Sequence, residues 1–530
     1  MDGDCGSYLP RRRRRARSCR GRILRHVSPP VGFLLSAFLG ILSFPPVGIW
    51  PLAYAALVPF LTSAVSSTPR RALLWGYVSG FVFFAGILYW IGLNSGTAPT
   101  LAWTSAAAMV AILATIWAIT AWAVSCTAKK SGLYWAAALF VALTIFFEVF
   151  WGTGEMGFPW AIWAVTQTGF LPAAQMAEIG DVYLISLWVL IINALLFLAW
   201  CVPQRRKRSL TTCALVFLVP VLFGAIRLYT FSMGPSVPVA AVQGNTPMEE
   251  KWQKSVEEIF DNYLALTESL TKTETVLAVW PETATPMPLR YRAWASRRLQ
   301  MFADSSGISL FTGATDYKEN GSTGMLPYNA AFLYQPGKRE PFSYAKIHLV
   351  PFGERIPGQK FIPALGKIRL GQAEFRPGET PVVFPTVGRV PPFGCMICFE
   401  VLFPEIAADL VKGGAYLLAN ITEDGWYGNS SGPYQHLALT RLRAIAARRG
   451  IIRAANTGIS ALILPTGELK ATLAYNQNGT VHGLLPAQTN ISLAVRLARI
   501  WLPFYALLLM VVLAGMWNRG RRGRTAPKAA

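Results

Sequence analysis

Three side-chain types that can carry out acyl transfer, a thiol, a carboxylate and an ammonium, punctuate the long polar part of this 530-residue sequence. Cys398 ends the apolar run Gly394-Cys395-Met396-Ile397 and is followed by Phe399 and the carboxylate of Glu400. Glu282 stands behind Val279-Trp280-Pro281, where proline breaks a strand-like run. Lys346 lies in Tyr344-Ala345-Lys346-Ile347-His348, and Glu354 closes Val350-Pro351-Phe352-Gly353-Glu354. Each has an ordinary explanation when taken alone: Glu282 as a loop acid or helix cap, Lys346 as an exposed strand residue, His348 as a structural hydrogen-bonder, Cys398 as an inert buried thiol. Together they form a complete set. Glu282 can take the proton of Cys398 and later return one to a leaving alcohol, since the thiolate is the effective nucleophile. Lys346 can lower the thiol pKa and stabilise the oxyanion of a tetrahedral intermediate.

Cys395 and Cys398 also spell Cys-x-x-Cys, which suggests a redox pair or half of a zinc site. Residues three apart on an extended strand face opposite sides, whereas a disulfide needs converging Cβ atoms, so a bridge is disfavoured. Zinc would need two further ligands from a region offering His348, His436 and His482, and no paired spacing favours it. Neither a metal nor a cofactor is expected.

The elements that must position these residues are set by composition. With 53% hydrophobic and 14% charged residues, the chain is too apolar for an ordinary soluble protein. The net charge of +22 does not point to nucleic acid, because the basic residues cluster at 11–25, 70–71, 129–130, 205–208 and 519–524, beside apolar runs and without interleaved aromatics. Spanning helices of about 20 apolar residues are expected near 31–44, 47–65, 72–93, 101–126, 133–151, 182–200 and 210–231, with an eighth near 500–517. The connections at 67–71, 127–131 and 203–209 are basic, while the turn at Pro45 and the 94–100 and 152–181 loops carry no Lys or Arg. Eight spans with this alternation put both termini in the cytoplasm and residues 232–495 on the outer side. The expected organisation is therefore a basic tail (1–30), seven transmembrane helices (31–231), an outer catalytic domain (232–495), an eighth helix (496–517) and a second basic tail (518–530).

Within 232–495, β-rich runs at 237–243, 276–280, 308–315, 329–334, 393–398, 415–421 and 451–464 alternate with helical patterns. A helix is expected from the cap signal Thr246, Pro247 and Glu249 through 271, with others at 404–412 and 434–449. Strands interleaved with helices over about 250 residues imply a layered α/β domain able to close its own core.

Trp-Pro-Glu at 280–282, Lys346 followed by Pro-Phe-Gly-Glu, and Cys398-Phe399-Glu400, in this order, resemble the nitrilase or carbon-nitrogen hydrolase superfamily with its Glu-Lys-Cys triad. The flanking spans, with Asn420-Ile421-Thr422 and Gly425-Trp426-Tyr427-Gly428, narrow the resemblance to the bacterial apolipoprotein N-acyltransferase family. That resemblance implies an αββα nitrilase-like domain in the periplasm of a multi-pass inner-membrane protein. It implies a phospholipid donor whose sn-1 acyl chain passes to Cys398. The implied acceptor is the α-amino group of the N-terminal diacylglyceryl-cysteine of an apolipoprotein. By the same resemblance Glu282, Lys346 and Cys398 are the triad and Glu354 and Glu400 support it. Trp252, Trp160, Trp426 and Phe399 match substrate-binding positions, Trp160 and Trp426 at a lipid-facing entrance, although interfacial anchoring or core packing explains the tryptophans as well. Where the family has tyrosine after the nucleophile this chain has Phe399, and Ala446 and Gly450 stand where glutamate and proline are usual.

Two other readings stay open on the residues alone. A membrane-tethered nitrilase-like amidase would resolve the acyl-enzyme with water. A nonenzymatic lipoprotein receptor would use the fold for binding, although binding needs no nucleophile.

Overall fold

Apolar length decides the first half of the chain. The computed structural model describes residues 28–251, 253–319, 324–359, 361–362, 374–386 and 388–524. Two short apolar helices, α1 (Pro29–Ser43) and α2 (Val58–Ser66), lead into five longer ones: α3 (Pro69–Leu88), α4 (Pro99–Lys130), α5 (Leu133–Trp151), α6 (Ala177–Cys201) and α7 (Arg206–Thr230). With the C-terminal helix, six of the described helices are long and apolar enough to cross a membrane. The expected span at 47–65 is divided into a 3-10 turn, Trp50–Tyr54, and α2. Pro51 and Pro59 explain the division, because proline fits a first helical turn and interrupts a helix interior. Helices α3 and α4 pack closely where α3 carries glycine. A Cβ on Gly76 would come 2.6 Å from Ala121 Cβ and 2.9 Å from the Trp117 carbonyl, so only a bare backbone fits.

The polar half contains two six-stranded sheets, with β1 (Ser236–Gln243), β2 (Leu277–Val279), β3 (Ser309–Glu319), β4 (Met325–Tyr334) and β5 (Phe342–Ala345) in the first. The second holds β6 (Val383–Phe384), β7 (Phe393–Ile397), β8 (Leu417–Thr422), β9 (Gly450–Ala455), β10 (Ser460–Ile463) and β11 (Leu469–Leu473). The last strand, β12 (Gly479–Pro486), returns to pair with β1, giving orders β12-β1-β2-β3-β4-β5 and β11-β10-β9-β8-β7-β6. β1-β2-β3 and β7-β8-β9 run parallel, and the flanking pairs are antiparallel.

One apolar cluster draws on both sheets: Val239, Leu277 and Phe311 from the first meet Cys395, Ile397, Leu417 and Ile452 from the second. On the far side of the first sheet, α8 (Val256–Glu268) and α9 (Ala293–Ser306) bury Phe260, Tyr263 and Leu299 against Ala278 and Leu310. The far side of the second sheet is covered by α10 (Pro404–Lys412) and α11 (Ser431–Ala447), whose Leu410, Leu442 and Ile445 join Met396 and Leu418 in the cluster that fills the helical bundle. The chain closes with α12 (Trp501–Arg524).

Three expectations are corrected by local chemistry. The helix expected from Thr246 is only a short turn, Met248–Lys251, and the main helix starts afresh at Ser255, which forms a reciprocal capping box with Glu258. The run at 451–464 is two antiparallel strands, β9 and β10. The strand expected to include Cys398 ends at Ile397, because Cys398 turns to φ +51°.

Candidate active site

Each triad candidate stands just past the end of a strand. Glu282 follows β2 through Trp280-Pro281, and its loop lies flat on β3: Gly313 N donates to the Pro281 carbonyl at 3.1 Å. A Cβ on Gly313 would meet Pro281 O at 2.6 Å and Glu282 Cα at 2.7 Å, so glycine lets the two backbones touch. Lys346 directly follows β5 and is tied to β4 by its own N–H, which donates to the Asn329 carbonyl at 2.8 Å. Cys398 directly follows β7. A left-handed conformation at a non-glycine residue costs on the order of 1–3 kcal/mol and is held only by its surroundings. Here the Cys398 carbonyl accepts Asn420 Nδ2 at 3.4 Å and lies 3.2 Å from His436 Nε2.

The charged groups converge. Lys346 Nζ, buried, donates to Glu282 Oε1 at 3.3 Å and to Glu354 at 2.9 Å. Asn329 Nδ2 bridges the same two carboxylates, at 2.7 Å to Glu282 Oε1 and 2.9 Å to Glu354 Oε1. Glu282 Oε2 accepts the Glu423 N–H at 3.0 Å, and Glu354 Oε2 accepts the Val350 N–H at 2.8 Å. Glu400 is a strut: it accepts Tyr344 Oη at 2.7 Å, the N–H groups of Ile347 and His348 at 2.6 and 3.2 Å, and Ile397 N at 2.7 Å. It thus binds the end of β7, next to Cys398, to the segment that carries Lys346.

Two carboxylates share one ammonium, and the excess negative charge acts on the thiol together with burial. Burial and the Glu282 charge push the Cys398 thiol well above its ordinary range, although Lys346 pulls it down. The expected lowering by Lys346 is therefore present but outweighed. Burial lowers the Lys346 pKa, but Glu282 and Glu354 overcome it and hold the ammonium firmly charged. Burial raises Glu400 to about 7. Burial and nearby Lys346 lower His348 to about 4, and its ring lies against Phe403 with centroids 3.6 Å apart.

The supporting aromatic residues fall in different settings. Phe399 is buried and stacks on Phe158 with centroids 6.0 Å apart. Trp160 is also buried, donates to Gln435 Oε1 at 2.7 Å and lies 5.4 Å from the His436 ring. Trp426 is half-buried in the turn Asp424–Tyr427, and its carbonyl accepts the Ser95 N–H from the connection before α4. Trp252 lies outside the described residues.

Several residues of this site were not singled out in the sequence. Asn329 looked like an unremarked strand position. Lys251 forms a second buried pair with Glu423 at 3.0 Å and donates to Thr283 Oγ1 at 2.9 Å, beside Glu282. Behind Cys398, Asp424 joins Arg453 at 2.6 Å and His436 at 2.9 Å. Burial raises the Asp424 pKa, but Arg453 and His436 outweigh it and bring the carboxyl down to about 2. The available signal was Glu423-Asp424 directly after Asn420-Ile421-Thr422, since adjacent acids ending an apolar strand need buried cations.

Comparison with known proteins defines the class first. The carbon-nitrogen hydrolase family matches residues 238–493, and the family described as apolipoprotein N-acyltransferase N-terminal domain matches residues 36–195. Apolipoprotein N-acyltransferase of Geobacter metallireducens is 33% identical over 470 residues, covering 85% of this chain and 88% of the relative. The Azotobacter vinelandii protein of that name is 32% identical over 92% of this chain and 94% of its own length, and the Gloeobacter violaceus one 30% identical over 98% and 99%. Among solved structures, Saccharomyces cerevisiae Nit3, a member of the nitrilase superfamily, covers 48% of this chain and 91% of its own at 18% identity and a TM-score of 0.37, too low to add to the assignment. The chain belongs to the apolipoprotein N-acyltransferase family.

Proposed function

We propose that this protein moves an acyl chain from a phospholipid, through a thioester on Cys398, to the α-amino group of the diacylglyceryl-cysteine that begins an apolipoprotein. One observation carries the reading: a buried ammonium shared by Glu282 and Glu354 adjoins a cysteine held at φ +51° after a strand, with its thiol kept protonated. A protonated thiol needs a base at the moment of attack, and Glu282 supplies it. Cys398 Sγ attacks the sn-1 ester carbonyl as Glu282 takes the S–H proton. Lys346 stabilises the oxyanion, and the ester C–O bond breaks when the tetrahedral intermediate collapses. Glu282 returns the proton to the leaving glycerol oxygen, so lysophospholipid departs neutral at that atom. In the second half the neutral amine attacks the thioester, Glu282 takes its proton, the C–S bond breaks and the proton goes back to Cys398.

Glu354 and Glu400 support the triad in this reading, by fixing Lys346 and by joining its segment to Cys398. Trp160, Trp426 and Phe399, with Trp252, are assigned to substrate binding. In this reading the six helices long enough to cross a membrane are joined by the shorter α1 and α2 as eight membrane segments. The basic connections at 67–71, 127–131 and 203–209 then lie with both termini in the cytoplasm, leaving 232–495 as the periplasmic catalytic domain of an inner-membrane protein.

Mass spectrometry of Cys398 tests donor, nucleophile and acceptor together. An acyl mass should appear on Cys398 with phospholipid and leave on addition of a diacylated lipopeptide, which gains it. The reading fails if no hydroxylamine-sensitive adduct forms, or if Cys398→Ser keeps full turnover. A thioester that clears equally fast without lipopeptide would favour the amidase.

A further inference from the structure

The outer end of α5 carries a second polar constellation, separate from the triad. Thr144, Glu148 and Trp151 recur at helical spacing, so they lie on one face over the last two turns of the helix. All three line a cavity of about 50 Å³ between α3, α4, α5 and the 158–163 segment, walled by rings including Phe83, Trp117 and Phe158. Thr144 Oγ1, Glu148 Oε2 and Trp151 Nε1 are each shielded from solvent and have no hydrogen-bond partner. The other carboxylate oxygen of Glu148 is used: it accepts the Trp163 N–H at 3.2 Å, and the Ser186 hydroxyl also reaches the carboxyl. An acid inside a membrane helix with one oxygen left over marks a functional site, because an unsatisfied polar group there is costly.

We infer that this cavity binds the glycerol-ester segment of a membrane lipid, with Trp151 Nε1–H donating to the sn-2 ester carbonyl and the Thr144 hydroxyl and the protonated Glu148 carboxyl donating to neighbouring ester oxygens. The inference rests on the proposed membrane orientation and lipid substrate, and deepens them. Three features select this ligand. From Thr144 to Trp151 the three groups climb seven residue steps, or about 10 Å of helix at about 1.5 Å each, reaching the outer end of α5, where a bilayer passes from hydrocarbon to glycerol and headgroup. An indole N–H can only donate, so the ligand must offer an acceptor. The cavity is small and half-open, so a larger ligand can place one short polar segment in it while the rest lies outside. Phe158, which walls the cavity, stacks on Phe399 next to Cys398, so a lipid anchored here sits one aromatic ring away from the nucleophile's neighbour.

The test is a binding cycle on the full chain in nanodiscs, in a Cys398→Ala background where no turnover occurs. The probes are a phospholipid with ester links at both positions and its counterpart with an ether in place of the sn-2 ester. The ether lipid should bind about fivefold more weakly, the effect of one lost hydrogen bond. Trp151→Phe should weaken the ester lipid by a similar factor and abolish the difference between the two lipids. Thr144→Val serves as the second variant if Trp151→Phe does not fold, and should halve the preference or more. Equal binding of ester and ether lipids, or an ether penalty that survives both substitutions, overturns the inference. Acylation of Cys398 in the unmodified chain is read separately, so absence of acyl transfer counts against the proposed function and leaves the binding result to decide this site.

Discussion

Two buried lysines flank Glu282, and they are balanced differently. Lys346 serves two carboxylates, Glu282 and Glu354, and adjoins Cys398. Lys251 serves one carboxylate, Glu423, and a hydroxyl, Thr283 Oγ1. The first cluster therefore carries an excess negative charge that adds to burial in raising the neighbouring thiol, while the second is neutral as a pair. The difference separates tasks. An unbalanced group of charges can change its electrostatics as a proton moves, whereas a balanced pair fixes geometry, here by holding Glu423, whose N–H grips Glu282 Oε2.

Removing each lysine should break the comparison at its strongest point. Lys346→Met leaves two carboxylates buried around an apolar chain. It should cost about 3–5 kcal/mol of domain stability and lower Cys398 acylation about 10³-fold, through loss of the oxyanion partner. Thermal melts and single-turnover acylation measure both. Lys251→Met should destabilise through the unpaired Glu423 but slow acylation only about 10-fold, because Glu282 and Lys346 still meet. An acylation defect for Lys251→Met as large as that of Lys346→Met would erase the distinction between the two pairs.

A backbone change sharpens the same comparison from the other side. Gly313→Ala adds a Cβ that would lie 2.7 Å from Glu282 Cα and 2.6 Å from the Pro281 carbonyl, so the loop bearing Glu282 must shift. Since a displacement of about 1 Å can cost on the order of 100-fold in rate, acylation should fall between the two lysine variants, at about 30–100-fold, while both ion pairs persist. Unchanged kinetics would show that Glu282 is positioned by its polar partners alone.

The legibility of the site follows the range of the forces that build it. Glu282, Lys346 and Cys398 could be picked out because each ends an apolar strand-like run, a local signal. Their convergence comes from strand order, β2 and β5 in one sheet and β7 in the other, and no local pattern encodes which sheet a strand joins. Asn329 and Lys251 carry no local signal for that reason: their partners lie 47 and 172 positions away. Helix caps compete at short range, and Ser255 with Glu258 prevailed over Thr246 because its box closes on both sides. Strands β11 and β12 are polar or half-exposed along much of their length, so they lack the apolar run that reveals a buried strand.

The smallest effect concerns His348, which shares the Lys346 segment but pairs with neither acid. Burial and the nearby ammonium hold it near 4, below its ordinary value of 6.5. A group whose folded pKa is depressed stays neutral in the fold while the unfolded chain binds a proton, so its contribution is fully present above pH 6.5 and is lost as pH falls from 6.5 to 4. His348→Phe keeps a ring against Phe403 and removes the titration. The variant's melting temperature should therefore decline less than that of the unmodified chain between pH 6.5 and 4, with the two curves parallel above pH 7. Identical slopes would mean that His348 is not held below its ordinary value in the fold, either by burial or by the charge of Lys346.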